Sequence, residues 1–430
     1  MVQSQIDSAR VLLVAETTGY QIRMFGDVAD RCGISLMFAT DRCHQLDDPW
    51  RDAAVPIRFH NEAESVRTIV EKASRHPIAG VVAVGDRPAV LAALAAKALG
   101  VRFHPIEAAR IATNKLETRN RFRDADVPVP WFKSVPLEIN KGELDDVPFP
   151  CVVKPLTLSA SRGVIRADSP VELEAAIGRL AILLRSTDVL ARREKTSDVF
   201  LLEEYISGRE VAIEGFVTNG EFRMLTIFDK PDLLEGPFFE ESIYVTPTSL
   251  SEFEQRRVER QVDSAIQAIG LTHGPVHAEC RLGTDSVFVL EIAPRSIGGL
   301  CSRVLRFEGP RGEVVFEELI LRHALAESIE QYRLISEAAG VMMMPVPDAG
   351  VFKKVNGVET ARKMPLIEDL IVTAKRDQRF VPWPEGSSYP GFIFARGNTA
   401  ADVVTSLRNA YAVLRFDVVP AIPLRFKKED

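Results

Sequence analysis

Three short apolar runs, each followed by a stretch of helical periodicity, constrain the first hundred residues more than any other feature of the chain. Arg10–Ala15, Ile34–Ala39 and Gly80–Val84 read as β-strands. After the third, Asp86 is placed as the N-cap of a helix with Pro88 in its first turn. Leu91, Leu94 and Leu99 follow on its apolar face, and Gly100 stops it. Repeated strand-then-helix units imply a parallel sheet with helices on both faces. The first strand-to-helix turn, Glu16-Thr17-Thr18-Gly19, lacks G-x-G-x-x-G and so offers no dinucleotide fingerprint. The expectation is an open parallel α/β domain over residues 1–107.

The middle of the chain changes character. Pro148 and Pro150 bracket the entry to a strand at Cys151–Lys154. Ser169-Pro170-Val171-Glu172 is a capping box ahead of a helix whose inner face is Leu173, Ile177, Leu180 and Leu184. Leu201–Ile206 and Glu210–Val217 read as strands, and Asn219-Gly220 joins the second of these to Glu221–Phe228 in a hairpin. A helix over Ser251–Gly270 and strands at Val276–Leu282 and Val287–Ile292 complete an α+β region over residues 108–328. A smaller α+β unit over residues 329–430 has strands at Gly340–Pro345 and Gly391–Ala395 and a helix near Ala400–Leu414. Met342, Met343 and Met344 are assigned to its strand core, since methionine fills irregular apolar gaps.

Composition narrows the functional classes. The 430 residues carry 53 Lys plus Arg against 60 Asp plus Glu, a net charge of −7 with a pI near 5.7. That balance argues against an extended nucleic-acid grip or a polybasic membrane patch, and no apolar run approaches the ~18–20 residues of a membrane span. The first residues lack a signal-peptide core. Five cysteines, widely spread and without C-x-x-C, suit neither a disulfide framework nor a zinc site, so a reducing cytoplasm is the expected location. The P-loop, zincin and serine-hydrolase motifs are all missing.

The segment 276–292 carries the chemistry. Alternation puts His277, Glu279 and Arg281 on one face of the first strand, and Val276, Ala278, Cys280 and Leu282 on the other. On the second strand Phe288, Leu290 and Ile292 are expected inward, with Glu291 opposite to them. A turn centred near position 285 sets Glu279 across the ladder from Glu291. Like charges so opposed are destabilising. Two readings follow: a Mg²⁺ ion shared with phosphate oxygens, or neutralisation by a base such as Arg281. Arg295, followed by Gly298 and Gly299, favours a site that transfers phosphoryl groups.

Asn114-Lys115, Val152-Val153-Lys154-Pro155, Glu203-Glu204-Tyr205-Ile206 with Gly208-Arg209-Glu210, and Glu279 with Glu291-Ile292-Ala293-Pro294-Arg295 together resemble the ATP-grasp superfamily. The likeness is greatest to carboxylate–amine ligases of the L-amino-acid (dipeptide) ligase type, and strongest over residues 114–299. It implies a central ATP-grasp fold of two α+β subdomains, about 108–200 and 201–328, between the flanking units. It also implies an ADP-forming ligase that uses ATP and Mg²⁺ to join a small-molecule carboxylate to an amine, with Arg295 and Lys154 catalytic. Lys115 and Lys154 would touch phosphates, and Ser159, Ser161 and Gly163 would belong to a loop closing over them. Glu203, Tyr205 and Ile206 would lie along the adenine edge, with Glu210 on the ribose. Glu279 and Glu291 would hold the metal, although Ala293 stands where many relatives have a third, asparagine ligand. Glu240 or Glu241, His277, Gly298 and Gly299 would face substrate. A biotin-carboxylase-like enzyme and a nucleotide-binding regulator are the alternatives. No nucleic-acid or membrane partner is expected, and a homodimer through the first or last domain is compatible with the sequence.

Overall fold

The computed structural model describes residues 9–16, 21–41, 54–139, 142–194, 198–284, 286–310 and 312–421. Its first sheet is wholly parallel: Arg10–Ala15 lies between Ser35–Thr40 and Gly80–Val84, and Ala54–Pro56 adds on beyond Ser35–Thr40. Val11, Leu13 and Ala15 pack with Phe25 and Val28 on one face, while Leu12 and Val14 pack with Leu91 and Ala92 on the other. A strand buried on both faces needs apolar residues throughout, which is why these runs are continuous rather than alternating. Past Glu16 the first strand-to-helix turn lies outside the described residues. Asp86 is not a cap. Gly85 precedes the helix Asp86–Leu99 with φ 102°, and the Asp86 carboxylate turns instead to Arg295.

A second, antiparallel sheet runs in the order Phe132–Pro136, Val199–Glu204, Cys151–Pro155, Ile165–Ala167. The helix Pro170–Leu184 covers it with Leu173, Ile177, Leu180 and Leu184. The Ser169 hydroxyl accepts from Glu172 N, but the Glu172 carboxylate accepts from Asp168 N instead of Ser169 N, so one half of the expected capping box forms. The strand Val199–Glu204 stops short of the expected Ile206, leaving Tyr205 and Ile206 in irregular backbone.

The largest sheet has eight strands. Val287–Ala293, Gly274–Leu282, Arg209–Thr218, Glu221–Asp229 and Ile243–Thr246 are continued by Ala338–Met343, Gly391–Gly397 and Ile367–Val372. The sheet therefore runs without a break across position 329, and the C-terminal unit is built onto its edge. Met342, Met343 and Met344 are buried there.

The 276–292 hairpin holds one departure from simple alternation. Leu282 pairs with Val287 and Cys280 with Val289, yet Glu279 pairs with Glu291 and His277 with Ala293. Leu290 is the extra residue of a β-bulge. Val287, Val289 and Ile292 are the buried positions, and Phe288 and Leu290 are not, contrary to the expected inward set. The expected opposition of Glu279 and Glu291 is observed because the inserted residue restores their faces.

Candidate active site

The three sheets meet around a cavity of about 350 Å³, and all the sequence-predicted site residues line it except Gly163 and Glu240. Gly163, at φ 74°, is a packing glycine: a Cβ there would lie 2.9 Å from Leu183 and 3.0 Å from Leu180. The neighbouring Ser159 and Ser161 do reach the cavity, and their loop is held from the C-terminal unit. Trp383 Nε1 donates to Ala160 O at 2.9 Å, Arg162 Nε to Glu385 O at 2.8 Å, and Gly163 N to Pro384 O at 2.7 Å. Glu240 accepts from Val346 N at 3.2 Å, away from the cavity, and burial raises its pKa. Glu241 is the member of that pair on the cavity wall.

Lys115 opens the helix Lys115–Asp124, where the Asn114 side chain accepts from Leu116 N and Glu117 N as the cap. Its Nζ donates to Leu158 O at 2.8 Å and lies 3.5 Å from Glu291. Lys154 projects from the second sheet and is paired with Glu203. Glu203 lines the cavity with its side chain already paired. Its carboxylate is buried between Arg119 and Lys154, and although burial would raise its pKa, these two cations hold it down at about 2. Burial lowers the Lys154 pKa, and Glu203 opposes that change.

At the hinge, Tyr205 N donates to Pro150 O at 2.9 Å and Ile206 O accepts from Arg281 at 2.7 Å. Those two groups are thus already engaged. The Tyr205 ring has the Arg166 guanidinium 4.1 Å from its centroid and that of Arg281 at 5.0 Å, and it stacks on Phe239.

Glu210 meets Lys230 at 2.7 Å and Arg281 at 2.8 Å, so it is first a counter-ion. Lys230 is the residue sequence reasoning missed. Its buried ammonium pairs with Glu210, Glu241 and Glu279, the last at 3.1 Å, and single carboxylate oxygens of these three acids lie within 4.8 Å of one another. Burial would lower the Lys230 pKa, but the three carboxylates carry it well above the usual lysine range. Glu241 is pushed up to about 7 by burial and by Glu279, against Lys230. Glu279 is held well below the carboxylate range by Lys230 and His277 despite its burial. His277 is paired through Nδ1 with Glu214, and its Nε2 lies 3.6 Å from Glu279; burial opposes its charge, yet these acids raise its pKa to about 9.

Arg295 is fastened across the boundary with the parallel domain. Its Nε donates to Asp86 at 2.6 Å and its NH1 to Ser296 O at 2.9 Å. Gly298 and Gly299 follow it on the wall, which Tyr244, Met343 and Tyr389 extend toward the C-terminal unit. Opposed carboxylates with hard oxygens, flanked by Lys115 and Lys230 as the present counter-charges, form a donor set that fits Mg²⁺ carrying phosphate.

Comparisons with known proteins agree with this geometry. Residues 147–304 match the ATP-grasp domain family, and residues 342–419 match the L-amino acid ligase C-terminal domain 2. A crystal structure of L-amino acid ligase from Bacillus licheniformis superposes with a TM-score of 0.81 at 26% identity, covering 96% of this chain and 99% of that one. The alanine–anticapsin ligase of Bacillus amyloliquefaciens is 27% identical over 251 residues, which is 55% of this chain and 52% of that enzyme. The chain thus spans about half the length of the curated relatives it matches. An N5-carboxyaminoimidazole ribonucleotide synthetase in its ADP complex shares the fold, with a TM-score of 0.69 at 12% identity. Among the described residues no helix is long and apolar enough to cross a membrane.

Proposed function

We propose, from the premise that this chain carries an ATP-grasp domain at residues 147–304, that it is an ATP-dependent, ADP-forming ligase joining a carboxylate to an amine on amino acids or similar small metabolites. One observation carries the reading. Lys115, Lys154, Arg295 and the opposed Glu279 and Glu291 converge on a single cavity, and the thiol on its wall, Cys301, is kept from ionising by burial. Such a site positions reactants and neutralises charge, which is what phosphoryl transfer asks of a protein.

In this reading the Ile206 N–H reads the adenine edge, because Tyr205 N and Ile206 O are already engaged and the Tyr205 carbonyl points the opposite way across the same trans peptide. Lys115 and Lys154 hold phosphates under the loop of Ser159 and Ser161. Glu279 and Glu291 hold Mg²⁺, which when bound neutralises phosphate charge. The substrate carboxylate attacks the γ-phosphorus, ADP departs, and an acyl-phosphate results. The amine then attacks the acyl carbon and phosphate leaves. Arg295, always charged and forked, faces the oxygens that gain charge in both steps. The wall of Tyr244, Gly298, Gly299, Met343 and Tyr389 faces the substrate side chains, and Glu241 or His277 meets their polar ends.

The first test is a phosphate-release screen over pairs of amino acids and amines, with mass spectrometry of the products. The reading expects phosphate release that requires both a carboxylate and an amine, with a mass one water below their sum. Release driven by bicarbonate alone would instead identify a carboxylase.

A further inference from the structure

We infer that Arg119 is a positioning residue that sets the register of the Glu279–Glu291 pair and ties it to Lys154; the inference rests on the reading of those glutamates as metal ligands. From the turn outward the strands pair Leu282 with Val287, Arg281 with Phe288 and Cys280 with Val289. Continued unchanged, that register would bring Leu290 opposite Glu279 and turn Glu291 to the buried face beside Ala278, because a slip of one residue exchanges faces. The bulge at Leu290 prevents this and places Glu291 opposite Glu279. A bulge leaves backbone groups without ladder partners, and buried polar groups need partners.

Arg119 supplies them. Its NH1 donates to Val289 O at 3.2 Å and its NH2 to Leu290 O at 2.9 Å. In a regular strand successive carbonyls point to opposite sides; here two successive carbonyls converge on one guanidinium. The third contact runs to the other lobe, where Nε donates to Glu203 at 2.6 Å, and Glu203 in turn pairs with Lys154. The Arg119 side chain is 1% exposed and lies one helical turn after Lys115, whose own ammonium is 3.5 Å from Glu291. One helix face thus sets both the phosphate lysine and the metal carboxylate. A lysine at 119 would offer a point charge where the three contacts need a rigid fork.

The test is calorimetric titration of the full chain with a non-hydrolysable ATP analogue, in EDTA and across a magnesium chloride series. Arg119→Lys should need about 10–100-fold more Mg²⁺ to reach the tightened affinity, the usual cost of losing an outer-shell partner. Should that variant fail to melt cooperatively, Arg119→Gln is measured instead, since it leaves Glu203 and Lys154 balanced one to one. Glu291→Gln is run alongside. If it abolishes the magnesium effect and the Arg119 variants keep the parental requirement, the inference is overturned and the metal reading stands. If Glu291→Gln itself keeps the full effect, the metal reading falls, and the inference falls with it. Two Arg119 variants that both fail to fold would make Arg119 a stability residue and overturn the positioning role.

Discussion

Asp86 and Arg295, 209 positions apart, form a 2.6 Å ion pair that joins the first turn of a helix in the parallel domain to the loop following the strand Val287–Ala293. The pair is mostly screened from water, and the Arg295 pKa is raised above its ordinary value: burial opposes the charge, but Asp86, Glu291 and Glu214 outweigh it. The parallel domain therefore aims the guanidinium that the proposed chemistry needs. Asp86→Asn keeps the shape and removes the anchor. It is expected to lower kcat by about 10²-fold, the scale of a misplaced reacting group, with nucleotide affinity nearly unchanged. Steady-state kinetics beside calorimetry checks this, and a loss confined to nucleotide affinity would contradict it.

Lys230 is the sole cation paired with both Glu241 and Glu279 among the described ion pairs. Lys230→Met would leave Glu210, Glu241 and Glu279 clustered without their shared ammonium. Breaking a buried ion cluster on one side costs about 3–5 kcal/mol. Denaturant unfolding in EDTA is expected to show a loss of that order, with part of it recovered on adding Mg²⁺. A variant as stable as the parent would remove Lys230 from its structural role.

Three buried histidines bear on acid stability. His104, His273 and His323 lie together, with His273 stacked on His323 at 4.3 Å and His104 accepting from His273 N. Burial lowers the pKa of His104 to about 4 and that of His323 to about 3, and neighbouring histidines and Arg102 add to the latter. The unfolded chain takes up these protons near pH 6.5 while the native state resists them, so the stabilisation is full above pH 6.5 and fades as pH falls toward 4. Each histidine adds about 1.4 kcal/mol per pH unit to that slope at most. His323→Asn is expected to flatten stability against pH between 6.5 and 4, read by denaturant melts. An unchanged slope would refute the assignment.

Much of the strand-and-helix layout was legible because it depends on local periodicity: three of the first sheet's four strands fall where the apolar runs lie, and the fourth, Ala54–Pro56, is too short to show a pattern. The bulge at Leu290 was not, since alternation along one strand carries no sign of an inserted residue on its ladder. Asp86 reads equally well as a helix cap; the burial of Arg295 beside it decides otherwise, and that neighbour lies in another domain. Glu203, read as part of the hinge, is spent on Arg119 and Lys154. Neither Lys230 nor Arg119 was singled out by its sequence pattern, and a lone cation in a sequence usually means a solvated one. What marks them is burial among acids brought together only by the sheet topology.

The Ser159–Ser161 loop, proposed to close over the phosphates, is held from the C-terminal unit by the Trp383 indole on Ala160 O. Trp383→Phe removes that donor while keeping most of the ring, a change of about 1 kcal/mol. The expected result is an ATP KM raised about five-fold with kcat little changed. Equal kinetics would show that the loop is held without this contact.

The proposed acyl-phosphate makes a demand on atoms that no other route shares. With ¹⁸O in both oxygens of the substrate carboxylate, one of them must leave with the released phosphate, because the bond broken in the second step joins carbon to that oxygen. Mass spectrometry of a single turnover is predicted to show one ¹⁸O in phosphate and unlabelled ADP. Label appearing in AMP, with pyrophosphate released, would contradict the account and make the chain an adenylating enzyme.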